Sequence, residues 1–234
     1  MNSKRRWILY APYKRSFLVL FGTFSALTIA LVLLGVTGGA FRTMFLGSEA
    51  VGVLLLLASS LLGSYVNIPV HQVTTRRPIV QAREVNVYGI SRRTPAITYE
   101  SGTTLITVNL GGAVIPALIS VYLIAMFPSS LPYAIMATLL VAGVTKLVTR
   151  IVPGVGMLAP ALVPPLNAAL AASLLGVAPH IVAYVAGSMG TLIGVDLLNF
   201  GAIPDVGSPI VSIGGAGTFD GIFLSGIAAV ILAV

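Results

Sequence analysis

Seven apolar stretches divide this chain, and almost all of its charge falls in the gaps between them. They cover residues 17–36, 50–66, 104–127, 132–148, 157–175, 180–200 and 218–234. Each approaches the roughly 20 residues that a helix needs to cross the hydrocarbon core of a bilayer. In that medium no water satisfies a backbone N–H or C=O, so a span must bond internally and a helix is the simplest solution. Only 8% of the residues are charged and the mean hydropathy is +1.02, against roughly 25% charged residues in a soluble domain. The sequence therefore predicts an all-α, polytopic transmembrane helix bundle of about seven spans, built as a single integral membrane domain over residues 1–234.

The Lys and Arg residues orient this bundle. Lys4, Arg5, Arg6, Lys14 and Arg15 precede the first stretch, which is longer than the apolar core of a signal peptide and reads as a retained signal-anchor. With the N-terminus in the cytoplasm, these five share a side with Arg76, Arg77, Arg83, Arg92, Arg93, Lys146 and Arg150, and Arg42 alone falls outside. That is the expected positive-inside asymmetry of a multi-pass cell-membrane protein. No Lys or Arg follows Arg150, so the last spans are oriented only if the Pro-rich segment 153–167 crosses rather than re-enters. The expected partners are the bilayer and its anionic headgroups, which attract basic residues beside the spans. Because the net charge of +7 is set between apolar runs, no nucleic-acid partner is expected.

The basic cytoplasmic loop 67–101 is the largest polar piece. Its β-branched residues and the alternation at Glu84–Tyr88 suggest a short β-hairpin or ribbon, with a loop lying on the headgroups as the alternative. Glycines inside the apolar stretches, among them Gly111, Gly143, Gly187 and Gly190, read as close helix-packing positions.

Ionisable residues inside a membrane are costly and are functional candidates by default. Asp196 lies near the end of the sixth stretch and Asp220 at the start of the seventh, so a helical hairpin would bring both to the cytoplasmic side. Two carboxyls sharing a site hold one proton between them, which is the arrangement that peptide hydrolysis by an aspartate pair requires. Helix capping by Asp220 and a solvated Asp196 are the structural alternatives. Asn109, Gly217 and Pro160-Ala161-Leu162, in the Pro-rich fifth stretch, are candidate substrate-binding residues. A broken helix there would equally suit a small secondary transporter or ion-coupled carrier, and a non-catalytic membrane scaffold is the third reading. His71 and His180 fall on opposite sides and there is no cysteine, so no metal or cofactor is expected.

Leu61 to Val70 (LLGSYVNIPV) and Gly214 to Leu224 (GGAGTFDGIFL) resemble a family of prokaryotic membrane proteins, the domain of unknown function 1614. That resemblance implies a cytoplasmic membrane and brings no activity. A more distant similarity links Asp196, Asp220 and Pro160-Ala161-Leu162 to the intramembrane aspartic proteases of the presenilin and signal peptide peptidase type. It implies Asp196 and Asp220 as catalytic residues and a transmembrane peptide as substrate. In this chain Phe219 stands before the second aspartate where those proteases carry Gly. Val195 stands before the first where they carry Tyr, and Pro-Ala-Leu precedes both aspartates instead of following them.

Overall fold

The computed structural model describes residues 8–9, 58–87, 90–215 and 221–233, with the backbone alone for 8–9, 76–87 and 90–100. Strands are prominent in it. Strand β1 (Ile8–Leu9) pairs with β2 (Val66–Val87), and β2 forms a long antiparallel ribbon with β3 (Ile90–Asn109). The register is continuous from Val87 opposite Ile90 to Asn67 opposite Asn109, with one irregularity between Pro69 and His71. The chain then becomes helical through a π-helical turn, Leu110–Val114, that leads into α1 (Ile115–Met126).

A 3-10 turn at Pro128–Ser130 connects to α2 (Leu131–Val148). Strands β4 (Arg150–Val152) and β5 (Gly156–Leu158) make a small hairpin before α3 (Val163–Leu175). Gly176, in the left-handed region at φ 68°, ends α3 and turns the chain toward α4 (Pro179–Thr191). Helix α4 continues into a second π-helical segment, Leu192–Leu197, and the short α5 (Ile203–Val206) follows. Strand β6 (Ile210–Ile213) then adds parallel to β3, opposite Leu105–Val108, and α6 (Gly221–Leu232) closes the described chain.

The expectation of a seven-span, all-α bundle is overturned. Among the described residues two helices are long and apolar enough to cross a membrane, Pro128–Val148 and Pro179–Val206, and they stand beside a four-stranded mixed sheet and a two-stranded hairpin. The stretch 104–127 fails as a span because its first six residues are strand, paired with β2 on one side and, over Leu105–Val108, with β6 on the other. The stretch 157–175 contains only the 13-residue α3, with Met157 in β5. At 1.5 Å per residue such a helix is about 20 Å long, short of a hydrocarbon core of about 30 Å. The stretch 218–234 contains the 12-residue α6. The expected hairpin or ribbon in 67–101 is present but longer than predicted, its strands running from Val66 to Val87 and from Ile90 to Asn109. The stretch 17–36 and most of 50–66 lie outside the described residues.

The helical body has small residues inside and large ones outside. Ala137, Val141, Ala168, Ala172, Val182, Ala183, Ala186 and Ala229 make its buried centre, while Leu131, Ile135, Leu139 and, on α3, Leu166, Leu170 and Leu174 are exposed. In water that arrangement would leave the most hydrophobic faces wet. Against lipid it is the expected one, because close approach of small residues is what draws helices together there.

Candidate functional site

Asn109 stands where β3 ends, still in extended conformation, and its Oδ1 accepts from Gly112 N at 2.8 Å, capping the π-helical turn. Its Nδ2 donates to Ser64 O at 2.7 Å and to Asn67 Oδ1 at 3.1 Å. Asn67 Oδ1 also accepts from Ser212 Oγ at 2.7 Å, which ties β2 to β6. Ser60 Oγ donates to Gly111 O at 2.8 Å, and Gly111 approaches the Ser60–Ser64 backbone too closely to admit a side chain. All of these side chains are buried. Buried polar groups need partners, and here every bond except the local Gly112–Asn109 cap joins segments distant in sequence. Both amide hydrogens of Asn109 are thereby committed to the scaffold.

Asp196 is held nearby. It is buried in the π-helical segment that extends α4, and its Oδ2 accepts from Gly214 N at 2.9 Å. Gly214 follows β6 at φ +83°, a left-handed conformation that favours glycine. A Cβ there would lie 2.6 Å from Ala113 Cβ, so Gly214 is wedged between the turn capped by Asn109 and the carboxylate of Asp196. The structure thus brings Asp196 and Asn109 to one region through β6. Asn199 Nδ2 donates to Gly194 O and Val195 O, closing the far end of the π-helical segment.

Helices α4 and α6 pack antiparallel. Thr191 Oγ1 donates to Ser225 Oγ at 3.1 Å near one end of the seam, and His180 Nδ1 lies 3.4 Å from Val230 O near the other. Between them Gly187 sits against Ser225 and Ala229, and Gly226 against Ser188 and Tyr184. Leu192, Ile222 and Ala113 form one buried cluster, so the first turn of α6 lies beside the segment that carries Asp196.

The other sequence candidates are placed differently. Pro160, Ala161 and Leu162 are exposed on the turn that starts α3, and Val163 N bonds to Pro160 O at 3.1 Å. Gly217 and Asp220 lie outside the described residues. His71 is exposed, and no cluster of three or more His, Cys, Asp or Glu suited to a metal occurs among the described residues. The sequence reading missed Asn67, Ser212 and Gly214. Their signals were present in the Gly214-Gly215 pair after a β-branched run, and in an asparagine two residues before Pro69 where an apolar stretch ends.

A family model described as a protein of unknown function (DUF1614) matches residues 61–232. The chain belongs to this family. No curated protein and no solved structure matches it. The matched region begins in the helical turn that holds Ser64 and ends with α6, so it takes in the ribbon, Asn109, Asp196 and Gly214 together. Nothing in these comparisons supports the likeness to intramembrane proteases.

Proposed function

We propose that this DUF1614 protein is an intramembrane aspartic hydrolase of multi-pass topology with a cytoplasmic N-terminus. Asp196 and Asp220 form its catalytic pair and a transmembrane peptide is its substrate. The observation that carries the reading is the buried carboxylate of Asp196, fixed by Gly214 N–H at the root of the segment that leads into α6. Asp220 directly precedes Gly221, the first residue of α6, and the antiparallel α4/α6 seam runs toward Asp196 at that end.

In such a pair one carboxylate takes a proton from water as the water oxygen attacks the peptide carbonyl. The protonated partner gives its proton to the carbonyl oxygen. The tetrahedral diol then collapses, the C–N bond breaks, and the leaving nitrogen takes a proton. Asn109 serves by position, holding the turn against which Gly214 rests, and the exposed Pro160-Ala161-Leu162 turn is an approach surface for substrate.

The test is cleavage of a transmembrane peptide by the reconstituted full chain. Asp196→Asn and Asp220→Asn are each expected to lower the rate at least a thousandfold while leaving thermal unfolding within a few degrees of the parent. Cleavage retained in either variant sinks the assignment. The π-helical interruptions Leu110–Val114 and Leu192–Leu197 favour a second reading, an ion-coupled carrier, since irregular backbone at membrane depth lines sites. Ion-dependent thermal stabilisation that vanishes in Asp196→Asn, without any cleavage, would select it.

A further inference from the structure

One face of α4 carries polar side chains at helical spacing: His180, Tyr184, Ser188 and Thr191. Steps of three and four residues keep them in line along an α-helix. Asp196, five residues on, would stand about 140° off that line in a continuous α-helix. The wider i→i+5 turns of Leu192–Leu197 bring it back toward the line. Helix α6 packs on this face. Its Ser225 Oγ accepts from Thr191 Oγ1, its Gly226 leaves no room for a Cβ beside Ser188 Oγ and the Tyr184 ring, and its Val230 O faces His180 Nδ1. The Tyr184 phenol lies beside the Ser188 hydroxyl. Tyr184, Ser188, Thr191, Ser225 and Asp196 are buried, and His180 is half-buried at the start of the helix.

We propose that this seam is a proton path, with His180 and Asp196 as its end groups. Close approach accounts for the glycines, but alanine would serve it as well as serine, and hydroxyls buried among apolar groups are costly. What a hydroxyl adds is the capacity to accept and to donate at one oxygen. An incoming proton binds the oxygen while that group's own hydrogen passes to the next oxygen. One proton advances, and every residue returns to its starting composition. His180 and Asp196 load and release it, since an imidazole and a carboxyl each exist with and without their proton. Residues four apart on a helix have Cβ atoms about 5–6 Å apart, so one bridging water carries the proton over a step that two side chains do not close directly.

The length and the surroundings fit this role. From His180 to Asp196 the helix rises about 24 Å, most of a hydrocarbon core of about 30 Å. Both residues lie within Pro179–Val206, one of the two helices long and apolar enough to cross a membrane. Helices α1, α2 and α3 bring no Asp, Glu or Arg, and their one Lys, Lys146, is exposed near the end of α2. These helices therefore set no fixed charge beside the path to repel or trap a proton. The path requires neither peptide hydrolysis nor a carried solute, so it holds or fails independently of both readings of Asp196.

The experiment uses the full chain in liposomes that enclose a pH-sensitive dye, with a potassium gradient and valinomycin driving protons inward and no peptide present. The parent is expected to acidify the lumen severalfold faster than protein-free liposomes do. Tyr184→Phe and Thr191→Val each keep the side-chain shape and lose the hydroxyl. Each is expected to return the rate to near the protein-free level while thermal unfolding stays within a few degrees of the parent. Ser120→Ala removes a buried hydroxyl that bonds within α1, to Pro116 O, and the rate is expected to stay at the parent's. A parent no faster than empty liposomes overturns the proposal, as does flux that survives in both seam variants. Flux that falls only in step with loss of folded protein, in Ser120→Ala as much as in Thr191→Val, would assign the seam hydroxyls to packing and equally overturn it.

Discussion

The helical body and the root of the sheet are both buried, yet they are held by opposite means. Along the α4/α6 seam, glycine, alanine and serine let two helix backbones nearly touch, and the large aliphatic residues of α2 and α3 are left outside. At the sheet root amide and hydroxyl hydrogen bonds, with Asn67 Oδ1 serving two donors from different segments, are added to a small apolar cluster of Ile106, Ile203, Val206 and Val211. Helix faces set in lipid would gain little by burying leucine, and close approach of small residues supplies the contact there. Close packing without side chains serves where helices run alongside each other. Explicit polar ties serve where a strand turns into a helix and leaves backbone groups without a regular partner.

This contrast predicts three graded outcomes in reversible unfolding of the detergent-solubilised full chain. Gly226→Leu should have the largest effect, about 3 kcal/mol or more, since even a Cβ there collides with Ser188 and crowds Tyr184. A loss under about 1 kcal/mol would mean that the seam is loose and the contrast mistaken. Asn67→Ala should cost about 2 to 3 kcal/mol by stranding the Ser212 hydroxyl and one Asn109 amide hydrogen. If the strands at the root are held by their ladder alone, its cost will fall to that of an exposed substitution. Gly143→Ala serves as the internal control. It lies in α2 with nothing within 4 Å of an added Cβ, so it should be neutral or stabilise by up to about 1 kcal/mol through helix propensity.

Hydropathy identified the apolar stretches and correctly located two long helices, 132–148 and 180–200 falling within Pro128–Val148 and Pro179–Val206. It misread residues 104–109 because an apolar run of Thr, Leu, Ile and Val has the same mean hydropathy as strand or span, and periodicity does not separate them. What decided the matter was the pairing of those residues with β2 and β6, which lie up to about a hundred residues away. The prolines of 153–167 were legible as an interruption, but the hairpin β4–β5 and the shortness of α3 were not. Asp196 stood out as an ionisable residue in an apolar run, whereas its partner Gly214 N–H did not, since any backbone amide could have filled that role.

The seven apolar stretches still describe this chain's relation to its solvent, but they no longer count its spans. Composition alone determined that most of its surface must be apolar, because 8% charged residues cannot clothe it in water. Family membership was likewise legible from local strings at Leu61–Val70 and Gly214–Leu224. Only the tertiary structure decided that three of the stretches open or close as strands, that two π-helical turns adjoin each other across Gly214, and that Asn109 and Asp196 belong to one region. The reason is physical. Hydropathy sums over neighbours in sequence, while strand pairing, glycine wedges and buried hydrogen bonds are set by residues that meet only after the chain has folded.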